Sequence, residues 1–467
     1  MLKKLQPTIF ILAALFSLAG CKDDDSPTPD PGTGADPINS WVYNTMREVY
    51  YWTDEIPTNV DLTQTPENLF NSLLSKEDRF SVIVANYDEL IASLSGVTKD
   101  AGYEFALVGV TDTDQVVAAV TYVKDGSSAQ AAGIKRGDII HQINGTVITQ
   151  DNYRTLIPGI YENHSITYRR YNFGASQYEE QGSINLSAVV LAENPHLLDT
   201  VYNIGDKKIG YYVYNFFSPG PDKSTEYDEQ MDNIIGKFKS EGINELILDL
   251  RYNSGGAVSS ATNLGSLLAK GVTTTDIFYQ NQWNDLYQNY IEGLADGDDI
   301  LRGKFKSKAQ NIGTEIGGNL YVLTGSRTAS ASELIINGLD PYMNVTIIGE
   351  TTVGKNVGSI PLEDDNNPNN EYGMLPIVFK IFNSEMYSGY SNGFTPQGDN
   401  LVDDLQFPLR ALGHVEEPLL ERALALISGS STGGRQARVA EVVKEPIGSS
   451  LDYKQRSNRL IFDTPIK

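Results

Sequence analysis

From residue 39 onward, apolar positions first recur at helical spacing. In INSWVYNTMREVYYWTDEIP, Trp41, Met46, Tyr50 and Trp52 share one broad face, and PENLFNSLLSKEDRF continues it with Leu69, Leu73 and Leu74. Residues 39–96 are therefore expected to form a small helical domain with its aromatic face turned inward. From Ala101 the period shortens. GYEFALVGV, QVVAAVTYV and GDIIHQINGTVI are apolar, β-branched runs parted by Asp/Gly turns, and SSAQAAGIKRGD between them reads as a short alanine-rich helix closed by Gly133. A β domain over 97–190 follows. Beyond 191 the two periods alternate. KKIGYYVYNFF is a strand, and STEYDEQMDNIIGKFKSEG is an amphipathic helix with a Ser/Thr opening and Gly242 at its end. ELILDLRYNSGGAVSSATNLGSLLAK gives a buried strand, a glycine turn and a helix, and NLYVLTG, SASELIINGL and NVTIIGE repeat strand, helix, strand. Such alternation predicts an α/β core over 191–430. Asp276 to about Gly317 reads as polar and irregular, GMLPIVFKIFN as a closing strand and EEPLLERALALISG as a last helix. The Ser/Gly/Arg-rich tail, 431–467, is expected not to fold. The fold class is multidomain α+β.

The N-terminus departs from this pattern. Lys3 and Lys4 precede a short apolar run, Ile9 to Leu18, within a leader over 1–20. That run is too short to span a bilayer comfortably. Leu18-Ala19-Gly20-Cys21 resembles the cleavage box of bacterial lipoproteins, which implies that Cys21 is lipidated and anchors the chain to a membrane. The acidic KDDD that follows resembles the export signal of surface-displayed lipoproteins in Bacteroidetes-like bacteria. Residues 21–38, with SPTPDPGTGADP, hold too little apolar surface to fold and read as a linker. The expected location is the cell envelope, anchored by lipid to the outer membrane, on its periplasmic side or at the cell surface.

Composition narrows the chemistry. The net charge of −24 argues against nucleic acid and against electrostatic binding to anionic headgroups. Cys21 is the only cysteine, which removes disulfides and a thiol nucleophile. No P-loop, HExxH or Cys/His cluster occurs, so no metal and no cofactor are expected. His141, His164, His196 and His414 are scattered, which disfavours a Ser-His-Asp triad.

The remaining candidate is GSRTASASELIINGLDPYMNVTIIGETTVGK, Gly325 to Lys355. A strand, a tight turn and a helix place Ser330 at the helix N-terminus, at the carboxyl edge of a sheet. Lys355 lies 25 residues on, enough for one helix and one returning strand. Taken singly, Ser330 reads as a helix cap and Lys355 as a surface lysine. Together they make a Ser/Lys dyad. A serine hydroxyl needs a nearby base, and a lysine in an apolar pocket can lose its proton and become one. Val353, Gly354, Val357 and Gly358 give Lys355 small, uncharged flanks.

TASASE followed by GETTVGK resembles the signature of the C-terminal processing, or tail-specific, serine peptidases. The resemblance, which spans about 40–430, implies that Ser330 is the nucleophile and Lys355 the general base, with Glu333 and Thr352 in supporting positions. Where the family often has a glutamine after the lysine, this chain has Ser359. Asp249-Leu250-Arg251-Tyr252-Asn253-Ser254-Gly255-Gly256 resembles the family's D-L-R-x-N-x-G-G motif. It implies an oxyanion hole from the amide of Gly255 or Gly256 together with that of Ala331. GFTPQGDNLVDD resembles the family's G-x-x-P turn. GSSAQAAGIKRGDIIHQINGTVI resembles the PDZ domain of the same peptidases, with Gly102–Ala106 and the strand after it as the edge that takes an extended peptide and captures its carboxylate. The implied core is an α/β, ClpP/crotonase-like ββα spiral. The expected activity is endopeptidase cleavage of unfolded or C-terminally exposed polypeptides. A peptide-binding lipoprotein on the same fold and an acyl-CoA enzyme on a related spiral fold are the competing classes.

Replacement of Cys21 by serine is expected to move the protein from the membrane fraction to the soluble one. Equal membrane retention of Cys21→Ser would remove the lipid-anchor expectation.

Overall fold

The helical pattern at the N-terminus becomes α1 (Pro37–Val49), α2 (Pro66–Ser72) and α3 (Tyr87–Leu94). The side chains of Asp36, Thr65 and Asn86 accept from the first-turn amides and start these helices, and proline follows directly in α1 and α2. Val42, Met46, Leu69 and Phe70 are buried in one continuous cluster with Tyr212, Phe238 and Phe379. The N-terminal segment thus has no core of its own, and its apolar stripe closes one side of the α/β core. The computed structural model describes residues 36–430, 443–455, 457 and 459–461. The leader, Cys21 and nearly all of the linker lie outside the described residues.

The β domain begins and ends at one place, where Val97–Asp100 pairs antiparallel with Val189–Ala192. Its meander is β1 (Tyr103–Val110), β2 (Val116–Val123), β3 (Ile139–Ile143), β4 (His164–Asn172) and β5 (Gln177–Leu186). Phe105, Leu107, Val120, Ile140 and Ile166 fill a separate core. A second cluster of the domain, with Ala106, Val108 and Ala119, packs on Leu409.

The core contains β6 (His196–Ile204), β7 (Lys207–Tyr214), α4 (Glu226–Glu241), β8 (Glu245–Asp249), β9 (Gly255–Ala257), α5 (Val258–Leu268), β10 (Ile277–Trp283), β11 (Arg302–Lys304), β12 (Asn319–Thr324), α6 (Ala331–Leu339), β13 (Asn344–Gly349), β14 (Val357–Ser359), β15 (Ile377–Phe382) and α7 (Pro418–Ser428). One sheet has the order β6-β7-β8-β12-β13, parallel from β7 onward. Its strands are apolar on both faces, as buried parallel strands must be. Tyr212, Leu246, Leu248 and Val322 face α4, α5 and α6, whereas Tyr211, Ile247, Leu323 and Ile348 face α7.

Two expectations need correction. The segment from Asp276 contains strand β10, a helix over Asp285–Glu292 and strand β11. Amide side chains had hidden its alternation: Asn281 and Trp283 face inward while Gln282 between them is exposed. The tail also folds. Val443–Ser449 forms β16, Ser450–Tyr453 a 3-10 turn and Arg459–Ile461 forms β17. β16 adds to the PDZ-like sheet beside β1, and β17 enters a second core sheet of order β9-β17-β14-β15-β10-β11. The tail lacks an apolar stripe because each of its strands completes a sheet built elsewhere in the chain.

A buried charge cluster joins these units. Arg251, fully buried, donates to Asp249 (2.7 Å), Asp404 (2.7 Å) and Glu417 (2.5 Å), the last being the N-cap of α7. Tyr252 donates its hydroxyl to Asp404 (2.5 Å), and Arg136 of the β domain pairs with Asp404 (2.9 Å) and with the Tyr252 hydroxyl. Burial alone would raise the Asp404 carboxyl; Arg136 and Arg251 outweigh it and hold it at about 2, below an ordinary 3.8. Its stabilising contribution is therefore complete above the ordinary value and is lost as pH falls towards 2. Removing Arg251 leaves Asp249 and Glu417 buried with no guanidinium between them. Arg251→Ala is expected to cost about 3–5 kcal/mol, read as a fall in the denaturant midpoint. A midpoint within error of the wild type would show that the cluster does not hold the core together.

Candidate active site

The nucleophile turn follows from two strand ends meeting. β12 ends at Thr324, the chain turns through Gly325–Ala329, and α6 starts at Ala331 with Ser330 as its N-cap. The turn is bolted to the glycine-rich turn after β8. Thr328 donates its hydroxyl to the Leu250 carbonyl (2.8 Å), the Ala329 amide donates to Asn253 (3.2 Å), and Ser332 donates its hydroxyl to the same Asn253 carbonyl (2.9 Å). Ser330 adopts φ 64° and ψ −113°. For a residue with a Cβ this conformation costs about 1–3 kcal/mol and persists only where the surroundings enforce it. Its hydroxyl is fully buried; Oγ faces the Glu333 amide in a capping-box arrangement but makes no hydrogen bond of ordinary geometry among the described residues, and its proton has no acceptor there. Strain and an uncommitted hydroxyl together distinguish Ser330 from a simple cap.

Glu333, expected only as a supporting residue, organises the site. Its Oε2 accepts from the Ser330 amide (2.7 Å) and the Lys355 amide (2.7 Å). Oε1 accepts from the Gly354 amide (2.6 Å) and the Thr352 hydroxyl (2.6 Å). Two amides on one oxygen fix the backbones of Ser330 and Lys355 within about twice a hydrogen-bond length of each other. Burial pushes the Glu333 carboxyl up, against the pull of Thr352, Ser330, Lys355 and Gly354. All four partners are donors, so the clamp needs the ionised form.

Lys355 is fully buried, with Nζ 5.1 Å from the centre of the Phe80 ring. Arg79 donates to the carbonyls of Gly354 (3.1 Å) and Ser391 (3.0 Å), so the N-terminal segment holds the lysine loop from outside. Thr352 links that loop to the G-x-x-P turn: its hydroxyl accepts from the Phe394 amide (2.8 Å), and its own amide donates to the Phe394 carbonyl (3.1 Å). Gly393 faces the Thr352 carbonyl so closely that a Cβ there would lie 2.0 Å from the oxygen. Ser359 is buried in β14, its backbone between Ile377 and Ile461.

The two glycines divide their work. The Gly255 amide donates to Asn253 Oδ1 (3.0 Å), and the Gly255 carbonyl accepts from Phe217 (2.9 Å). Gly255 thus spends its amide within its own turn. Successive residues of a strand present their amides to opposite sides, so the Gly256 amide points away from Phe217, although the two residues lie side by side as a bridge pair. A Cβ on Gly256 would meet the Phe217 carbonyl at 2.0 Å, which only glycine avoids. Ala331 opens α6, and its amide belongs to the helix's first turn. His196 is engaged elsewhere: it bonds the Tyr212 hydroxyl (2.6 Å) and the Tyr227 carbonyl (2.9 Å), and burial pushes it down to about 4. His164 bonds the Tyr103 hydroxyl (2.9 Å).

Sequence reasoning missed Arg79, Phe80 and the Asp404–Glu417 pair. An acidic residue two positions before Arg251 hinted at a local ion pair. Nothing marked partners more than a hundred residues away.

Site and fold define an α/β serine-peptidase architecture with an appended PDZ-type domain. The comparisons agree with it in chain order. Residues 37–82 match the Peptidase S41 N-terminal domain, 119–158 the PDZ domain, and 208–375 Peptidase family S41. The chain belongs to peptidase family S41, with its N-terminal and PDZ domains. It is 25% identical over 325 residues to the carboxy-terminal processing protease CtpA of Bacillus subtilis, a match covering 67% of this chain and 59% of that protein. It is 24% identical over 247 residues to a probable CtpA-like serine protease of Staphylococcus aureus, covering 52% and 42%. The match therefore spans less than two thirds of the length of either relative. Among solved structures, a putative S41 protease from Bacteroides fragilis superposes with a TM-score of 0.68 at 26% identity, covering 83% of this chain and 97% of that one.

Acid should loosen the clamp first. As pH falls through the raised value of Glu333, protonation turns one of its oxygens into a donor facing donors. Peptidase activity is expected to fall on the acid side at a pH above the ordinary glutamate range. Glu333→Gln, which cannot ionise, should remove that limb from the pH profile and destabilise the fold by about 2–3 kcal/mol. An unchanged profile in Glu333→Gln would show that the carboxylate does not govern the site.

Proposed function

We propose that this chain is a serine endopeptidase of the C-terminal processing type that works through a Ser330/Lys355 dyad. One observation carries the reading: a single buried carboxylate oxygen binds the amides of both residues, and Ser330 is held in a strained conformation with its hydroxyl uncommitted. Neutral Lys355 takes the Ser330 proton as Oγ attacks the scissile carbonyl carbon. The amides of Gly256 and Ala331 receive the developing oxyanion. Collapse of the tetrahedral intermediate breaks the C–N bond, and the ammonium of Lys355 returns its proton to the leaving amine. Water, deprotonated by Lys355, then attacks the acyl-enzyme and restores Ser330. Gly255 shapes the oxyanion turn, and Thr352 and Glu333 position the lysine loop. Ser359 lies on the strand that leaves that loop.

Substrates in this reading are unfolded polypeptides presented in extended form, and the PDZ domain binds them and gates their entry. Lipidated Cys21 would keep the enzyme at the outer membrane. No metal, cofactor or nucleic acid has a role in the proposal.

Hydrolysis of fluorescent casein by the soluble chain from Asp24 onward tests it. Ser330→Ala and Lys355→Ala are each expected to lower turnover by roughly four to six orders of magnitude, with the fold retained. Full activity in either variant would overturn the dyad.

A further inference from the structure

The tail occupies both places where a peptide would bind. β16 runs antiparallel to β1, with Val443 opposite Val110, Pro446 opposite Val108 and Ser449 opposite Ala106. This is addition of a strand to a sheet edge, the mode by which PDZ domains take peptides. Its direction carries it to the start of β1; Gly102–Ala106, expected as a loop where a peptide's terminal carboxylate ends, is strand from Tyr103 on. A serine side chain stands there instead. Ser450 Oγ accepts from the Phe105 amide (2.9 Å) and donates to Glu104 Oε2 (2.6 Å), and the chain continues past it. Four residues on, Lys454 enters a buried acidic pocket and pairs with Asp100 (2.5 Å) and Glu104 (3.1 Å). Lys124 shares the pocket with Asp100, Glu104 and Glu193. Three carboxylates against one fixed ammonium leave room for a second cation, which the tail brings.

The tail then crosses to the catalytic centre. Asp452 accepts from Arg327 of the nucleophile turn (2.8 Å). β17 lies parallel to β9, pairing Gly255 with Arg459, Gly256 with Leu460 and Ala257 with Ile461, while Ile461 also pairs with Ser359 of β14. It fills the slot between the oxyanion-side strand and the strand after Lys355. Ser330 and Lys355 are both wholly inaccessible to solvent.

We infer that the tail, through its described residues 443–455 and Arg459–Ile461, is a tethered ligand filling a two-part peptide track, and that the track selects an internal extended segment carrying a serine and, four residues later, a lysine. The inference deepens the peptidase reading and rests on it for the second half of the track. Glu104 is the specificity-determining residue. Buried at the start of β1, it repels a terminal carboxylate and accepts a hydroxyl and an ammonium. A polypeptide substrate must displace the tail, entering parallel to β9 with its main chain offered to Gly256.

The test uses the full chain from Asp24 and its Lys454→Glu variant, which places a fourth carboxylate in the acidic pocket. Two readings are taken: casein turnover, and binding of a fluorescein-labelled synthetic peptide of sequence 443–461, the latter in a Ser330→Ala background. Releasing the tail should raise turnover roughly tenfold or more. The labelled peptide should bind the variant and not the parent, and replacing its lysine at position 454 by alanine should weaken it about tenfold or more. Added unlabelled peptide should suppress the gained turnover. Equal turnover and no peptide binding in the variant would overturn the tethered ligand. If Lys454→Glu melts well below the parent, Ser450→Ala gives the same readings with less disturbance to the pocket. Peptide binding without any turnover would sustain the track and sink the peptidase reading. Tail-dependent turnover that persists in Ser330→Ala would leave the track standing and remove the nucleophile. A peptide ending in a free carboxylate at position 450 that outcompetes 443–461 would overturn the internal-segment selectivity.

Discussion

A single ionised carboxylate in a dry site governs the arrangement of this protein's chemistry. Glu333 is fully buried, so its two oxygens must find donors within the fold. They find four, and two of these belong to the residues proposed to react. The energetic asymmetry of buried hydrogen bonds makes such an arrangement rigid: forming each bond contributes modestly, while leaving any partner unmet is costly. The strain at Ser330 is held by the same means. The helix cannot relax its first turn without breaking the clamp that also aligns Lys355.

The same logic repeats at larger scale around Arg251. Its guanidinium is flanked by Asp249, Asp404 and Glu417, which come from a strand end, a late loop and the cap of the last helix. Arg136 extends the cluster into the PDZ-type domain. Position of the glycine turn, seating of α7 on the sheet and docking of the β domain are thereby one electrostatic unit. Beside it, the acidic pocket of Asp100, Glu104 and Glu193 depends on Lys454 from the tail for its balance. Both clusters connect remote segments through charges that no single segment could neutralise.

Much of the architecture was legible in the residues. Helical spacing located the N-terminal helices, alternation located the β domain, and strand–helix–strand repeats located the core, because each pattern reflects burial of one face or both. That Ser330 and Lys355 come together was legible from spacing, since a strand, a helix and a returning strand leave little freedom in where their ends meet. The β domain, expected over 97–190, is closed by the pairing of Val97–Asp100 with Val189–Ala192. The helical segment at the N-terminus matches an N-terminal domain, and what its stripe could not tell is that its partner surface is the core. The strand at Ile277–Trp283 was missed because amides occupy part of its alternation.

Sequence by itself thus determined which residues bury and which local elements they form, for those depend on neighbours a few positions away. Tertiary structure alone decided that Glu333 clamps both candidate catalytic residues, that Gly255 spends its amide on Asn253, and that the tail folds at all. β16 and β17 have little apolar surface to announce them. They are strands because β1, β9 and β14 offer unpaired edges, and an edge hundreds of residues away leaves no trace in the pattern of the segment that fills it.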